Sequence, residues 1–234
     1  MPLVIIEEVL QAVLLAGFQR IVTEINTPPA DPPDPLRVDV FDSVFSLMDA
    51  TKRGQLRTWL GAHPPTLTNP STGRINLHIE YPREDMVLPA IAITVAPSSD
   101  SGQYVGDFAL QVPLGPVEVD GHFEIHSAWH AQETALITIL SENRNIILAL
   151  HQCIRAILWL AKETLSETYG IDQMVLSAQD VKPMSATKDD LPIFARSLNL
   201  RCVAYNELSE RVGRIKEIDL TVENFENELT IFTD

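Results

Sequence analysis

Four side chains of metal-binding type stand close together in the chain: His122, Glu124, His126 and His130. On a helix, positions four apart share a face, and two imidazoles there can meet one zinc ion. The flanks argue for a strand instead. Val117, Val119, Phe123 and Ile125 alternate with other residues, and four residues of strand span about 13 Å. Zinc–nitrogen bonds are about 2 Å, so His122 and His126 on a strand do not readily share an ion. The expectation is a polar sheet face without a metal.

Other chemistry-bearing residues are equally unsupported by their surroundings. Glu84/Asp85, Asp189/Asp190 and Glu226/Glu228 are carboxylate pairs of the kind that serves acid–base catalysis. With 32 acidic residues such pairs arise by chance, and none sits beside a basic or aromatic pocket signal. Ser99 and Ser101 lie in Ser98–Gly102, which is not a strand–elbow–helix setting for a nucleophile. The two cysteines, Cys153 and Cys202, form no Cys-x-x-Cys pair and read as buried free thiols. The glycines make no phosphate-cradling motif. No catalytic residue, metal or cofactor is therefore assigned. The chain reads as a structural subunit rather than an enzyme. Two rivals are a small metal-dependent hydrolase using His122 and His126, and a monomeric binding module using polar loops around Ser98–Gly106.

Charge narrows the partners. The chain carries a formal −15, with 32 acidic against 17 basic residues. That opposes phosphate binding on nucleic acid and docking on an anionic membrane. Residues 1–50 are net −6 and residues 207–234 net −5, so acidic ends flank a nearly balanced centre. The first residues lack the basic start and cleavage site of a signal peptide. The apolar stretch Ile146–Ala161 contains His151, Gln152 and Arg155 and is short of a membrane span. A cytosolically made protein is expected.

The elements that must position these residues follow from periodicity. Ile5–Ile25 reads as a helix with the stripe Leu10, Leu14, Phe18, Ile21 and Ile25, ending before Pro28. Thr27–Pro35 is a proline-rich spacer. Asp42 is expected to cap a short helix, and Thr51–Gly73 to form a long loop with a helical turn at Leu56–Leu60. Strands are expected at Arg74–Tyr81, Ala90–Ala96, Tyr104–Val112, Val117–Trp129 with a bend at Gly121, and Ala135–Leu140. A long helix over Arg144–Thr168 should be buried on more than one side and capped at Gly170. Further strands are read at Met174–Gln179, Arg196–Tyr205, Ile215–Val222 and Glu228–Phe232, with a loop at Val181–Pro192. The fold class is α/β (α+β), a mainly antiparallel twisted sheet with a leading helix and one long helix on one face. The divisions are an N-terminal helix (1–26), spacer and long loop (27–73), α/β core (74–206) and acidic C-terminal strands or arm (207–234).

One family shares this order of elements. Met86–Ala96 is a proline-introduced strand, and Ala135–Asn145 runs through Ser-Glu-Asn-Arg-Asn into the long helix, which ends at Tyr169-Gly170. Pro192–Tyr205 adds a late strand. Over Arg74–Tyr205 plus the leading helix, the chain resembles the tail-terminator and neck proteins of tailed bacteriophages. The spacer and the Thr51–Gly73 loop depart from that pattern. The resemblance implies a virion subunit, assembled in the host cytoplasm into a hexameric ring at the head-proximal end of the tail. Its implied partners are the tail tube, the sheath and the connector or stopper, with DNA passing through an acidic lumen. The expected partner interface is Asp219, Thr221, Glu223, Phe225, Leu229, Ile231 and Phe232. The expected ring or lumen loop is Asp100, Gln103, Tyr104 and Asp107.

Overall fold

The amphipathic stripe of the leading segment becomes helix α1, Ile6–Asn26, with Leu10, Leu14, Phe18 and Ile21 buried. Glu7 and Glu8 occupy its first turn, where carboxylates oppose the helix dipole favourably. The structure is a computed structural model that describes residues 5–27, 39–68, 70–83, 85–95, 114–119, 122–188 and 191–212. It describes backbone alone over 114–119, 122–130, 184–188, 191 and 205–212. The expected strands at Tyr104–Val112, Ile215–Val222 and Glu228–Phe232, and the spacer beyond Thr27, lie outside the described residues.

Two short helices follow. Helix α2, Val40–Val44, is capped by Asp39, whose carboxylate accepts a hydrogen bond from the Asp42 N–H at 3.1 Å. The expected cap, Asp42, instead lies inside the first turn. Helix α3, Ala50–Ala62, stands where a long loop was expected. Asp49 caps it by accepting from Thr51 N (3.0 Å) and Lys52 N (3.2 Å). Gly54 costs helix propensity, about 1 kcal/mol against alanine. That cost is offset by the cap and by the buried pair Leu56 and Leu60, four residues apart.

The strands are β1 (Pro65–Thr66), β2 (Ile75–Ile79), β3 (Ala90–Val95), β4 (Leu114–Val119), β5 (His122–Ser141), β6 (Ile171–Ala178), β7 (Lys182–Lys188) and β8 (Leu191–Val212). They form one sheet in the order β1-β2-β3-β5-β8-β6, with β4 beside β5 and β7 beside β8. The class is α+β, but the sheet is mixed, which corrects the expectation of a mainly antiparallel one. β1 and β2 run parallel, as do β2 and β3. The cause is the segment between β2 and β3, which returns the chain so that Ala90 starts beside Asn76. Asn76 is fully buried and pins this return, its amide donating to Val87 O at 2.9 Å and Ser71 O at 3.0 Å. Periodicity carries no trace of such side chain–backbone bonds.

Two further expectations are corrected. The bent strand at Val117–Trp129 is two antiparallel strands, β4 and β5, with Val119 opposite His122. The intervening Asp120-Gly121 is the residue pair that two-residue hairpins favour. β5 then runs on through the expected short strand at Ala135–Leu140. The expected loop at Val181–Pro192 contains β7, whose Lys188 pairs with Leu191 of β8.

The long helix is divided into α4, Arg144–Leu160, and α5, Lys162–Tyr169, bent by 51° at their junction. Gly170 has φ 65°, the left-handed cap conformation that glycine adopts without strain. One core cluster joins α1, α3 and α4 to one sheet face. That face carries Leu77, Ile91, Ile93, Ile137, Ile139, Leu198 and Leu200. α1 meets α4 at Gly17, where an added Cβ would overlap the Ile157 side chain. No single helix among the described residues is long and apolar enough to cross a membrane.

Candidate functional site

Two features stand apart from an ordinary two-layer domain: a groove between helices and an extended end of the sheet. The groove lies between the α2–α3 turn and the first half of α4. It has a volume of about 990 Å³ and is lined by Phe45, Leu47, Met48, Trp59, Ile146 and Leu148 among others. Leu47 is fully exposed and Leu148 is 37% exposed at its edge. Lys52 is the one charged residue among the described residues that line it.

Its walls are fixed by capping and charge. Arg57 on α3 reaches Asp42 at 3.0 Å and Asp39 at 3.5 Å, and its guanidinium lies 5.7 Å from the Phe41 ring centre. This ties α3 to the start of α2. Phe41 and Phe45 pack with ring centres 4.9 Å apart. Trp59 stacks on His63 at 4.2 Å, and His63 Nδ1 lies 2.7 Å from the Trp59 carbonyl. On the other wall, Asn143 caps α4 by accepting from Asn145 N at 2.8 Å. Ser141 Oγ in turn accepts from Asn143 N at 3.1 Å. A smaller cavity of about 270 Å³ adjoins the groove across Trp59, Asn143 and Ile146 and includes Ser141 and Glu142.

The perturbed titratable groups lie away from the groove. Burial, then the charges of Arg196 and Arg155, lowers the His151 imidazole to about 4. Neither of its ring nitrogens has a hydrogen-bond partner among the described residues. Burial pushes the Cys153 thiol up to about 12. Burial and then Glu133 push Cys202 up to about 11. Neither is the thiolate that nucleophilic chemistry requires. Glu133 is itself raised, by burial and then by Glu7. These are consequences of core packing. Among the described residues no three His, Cys, Asp or Glu side chains converge on a point suited to a metal.

The second feature is the ribbon of β5 and β8. It is paired without interruption from Ser141↔Phe194 to Phe123↔Val212. The helical return of the chain rejoins the sheet at Ile171, opposite Ala204. Ala204 pairs with Ala131, and the ribbon continues for eight pairs more, from His130↔Tyr205 to Phe123↔Val212. That is about 27 Å at 3.4 Å per residue. β4 lies along the β5 edge of this extension.

Positions 122, 124, 126 and 130 fall on β5 as strand positions, as the alternation led one to expect. The expected interface residues Asp219, Thr221, Glu223, Phe225, Leu229, Ile231 and Phe232 lie outside the described residues, as do the loop residues Asp100, Gln103, Tyr104 and Asp107. The groove was missed in the sequence because one of its walls, α3, comes from the segment read as a loop. The usable signal was Asp49 before Ala50-Thr51-Lys52, a capping residue ahead of a helical run. No protein-family model and no curated protein matches the chain.

Proposed function

We propose that this chain is a structural subunit of a phage tail terminator or neck, building a ring, hexameric in the implied family, at the head-proximal end of the tail. The observation that carries this reading is the β5–β8 ribbon, which continues eight pairs past the point where the helical layer rejoins the sheet. A strand pair extended that far offers backbone donors and acceptors along an edge, the means by which one chain adds strands to another. The groove supplies a second, apolar contact surface on the same subunit. The charge of −15 supports an acidic assembly through which DNA passes without adhering. Tube, sheath and connector or stopper proteins are the partners of this reading, and the virion is its location.

Static light scattering after size exclusion tests it. A mass near a small integer multiple of 26.0 kDa, six in the hexameric case, is expected, either alone or upon adding a tail-tube protein. A chain that stays monomeric with every tail component contradicts the reading.

A further inference from the structure

We infer that the layer between α4 and β8 binds a small oxyanion through His151 and Arg196. The inference stands apart from the ring reading. Arg196 lies opposite Ile139 in the β5–β8 pairing, on the sheet face that carries Leu198 and Leu200 and is covered by helices. Its Nε is buried and has no hydrogen-bond partner among the described residues. His151 enters the same layer from α4 and is 2% exposed. Both of its ring nitrogens are buried, and neither has a hydrogen-bond partner among the described residues. The charges felt at its ring, from Arg196 and then Arg155, are both positive. Two bases thus face each other inside the fold. The chain has 32 acids, yet none partners these three nitrogens among the described residues.

The donors set the class of ligand. A neutral imidazole carries one N–H and an arginine Nε always carries one, and a buried donor without an acceptor costs stability. A cation is repelled by the two arginines. A neutral acceptor takes up the N–H groups but leaves the guanidinium charge uncompensated in a poorly solvated place. An oxyanion meets both needs. Two of its oxygens fit the parallel N–H groups of a guanidinium, and a third accepts from the imidazole. Arg196 is only partly buried as a residue, so an ion reaches it from solvent without opening the core. Arg155, one turn along α4 from His151 and exposed, adds positive charge on that approach.

Nuclear magnetic resonance of the full chain, carbon-13 labelled in its histidine rings, tests this. The His151 signal is identified by its loss in His151→Gln. Sodium sulfate is titrated at neutral pH against sodium chloride of equal ionic strength. The His151 signal should move saturably with sulfate while those of the other five histidines stay. Arg196→Gln should weaken the apparent affinity at least tenfold, since it removes the charge and the paired donors together. Arg155→Gln, at an exposed position, should weaken it about two- to threefold, and carries the test if Arg196→Gln does not fold. A His151 signal that ignores sulfate would overturn the inference. So would a shift that climbs without saturating, the mark of an adventitious ion only. Saturation unchanged in the folded arginine variants would overturn it too.

Discussion

The two halves of the β5–β8 ribbon are built from the same strands but stand in different surroundings. The near half, Ala135–Ser141 with Phe194–Leu200, has β3 along one edge and β6 and β7 along the other. One of its faces is closed by α1 and α4, and Ile137, Ile139, Leu198 and Leu200 have no exposed surface. The far half, Phe123–His130 with Tyr205–Val212, has β4 on the β5 edge, and no described strand pairs with β8 there. The helical layer explains the boundary. α4 has 17 residues and is about 26 Å long, while the ribbon is about 60 Å. A strand pair more than twice the length of the helix folded onto it must extend past it. Stability belongs to the near half. Assembly, in the account proposed above, belongs to the far half.

The largest expected effect comes from breaking the near half. Ile137→Ala should cost about 3–4 kcal/mol in a urea melt, because a buried isoleucine leaves a cavity that a sheet centre closes poorly. By the division of roles proposed above, Ile125→Ala in the far half should cost the free subunit less than Ile137→Ala does while weakening assembly. Equal losses in the two variants would erase the distinction. Next in size is Gly17→Ala. The new methyl meets Ile157 where α1 and α4 approach most closely, and a loss of about 1–3 kcal/mol is expected. Ile157→Val in the same chain should recover part of it, which a double-mutant cycle would measure.

A smaller effect concerns acid. His151 is neutral in the folded core because its pKa is lowered to about 4, against about 6.5 when unfolded. The unfolded chain takes up this proton first. The contribution of His151 to stability is therefore complete above about pH 6.5 and is lost as pH falls toward 4. Glu133 works in the opposite sense, since its raised pKa favours proton uptake by the folded state. The slope is read as the difference between the wild type and His151→Gln. The wild type should lose on the order of 1–2 kcal/mol more between pH 7 and pH 5. Smallest is Arg57→Ala. Its ion pairs with Asp39 and Asp42 are partly solvated, so about 0.5–1 kcal/mol is expected, with faster amide exchange in α2.

The near half is also the part most legible in the sequence. The stripe Leu10, Leu14, Phe18 and Ile21, the alternation in β2 and β3, and the apolar spacing of α4 all describe burial, and local periodicity reports burial directly. Gly170 was readable because a left-handed cap has a residue preference. What escaped has a different origin. The parallel pairing of β2 and β3 depends on the bonds that Asn76 makes to residues up to 13 positions away. Helix α3 depends on a cap and on burial outweighing Gly54. The β4–β5 hairpin was hidden because Val117–Trp129 keeps its alternation across Asp120-Gly121, so period alone cannot separate one strand from two. The groove inherits the second of these difficulties, since α3 forms one of its walls.

Hydrogen exchange read by mass spectrometry, on the free subunit and on the assembled ring, tests the division of the ribbon most directly. Amides in 135–141 and 194–200 should be protected in both states. Amides in 123–130 and 205–212 should exchange at least tenfold faster in the free subunit and become protected on assembly. Equal protection of both halves in the free subunit, unchanged in the ring, would contradict the account.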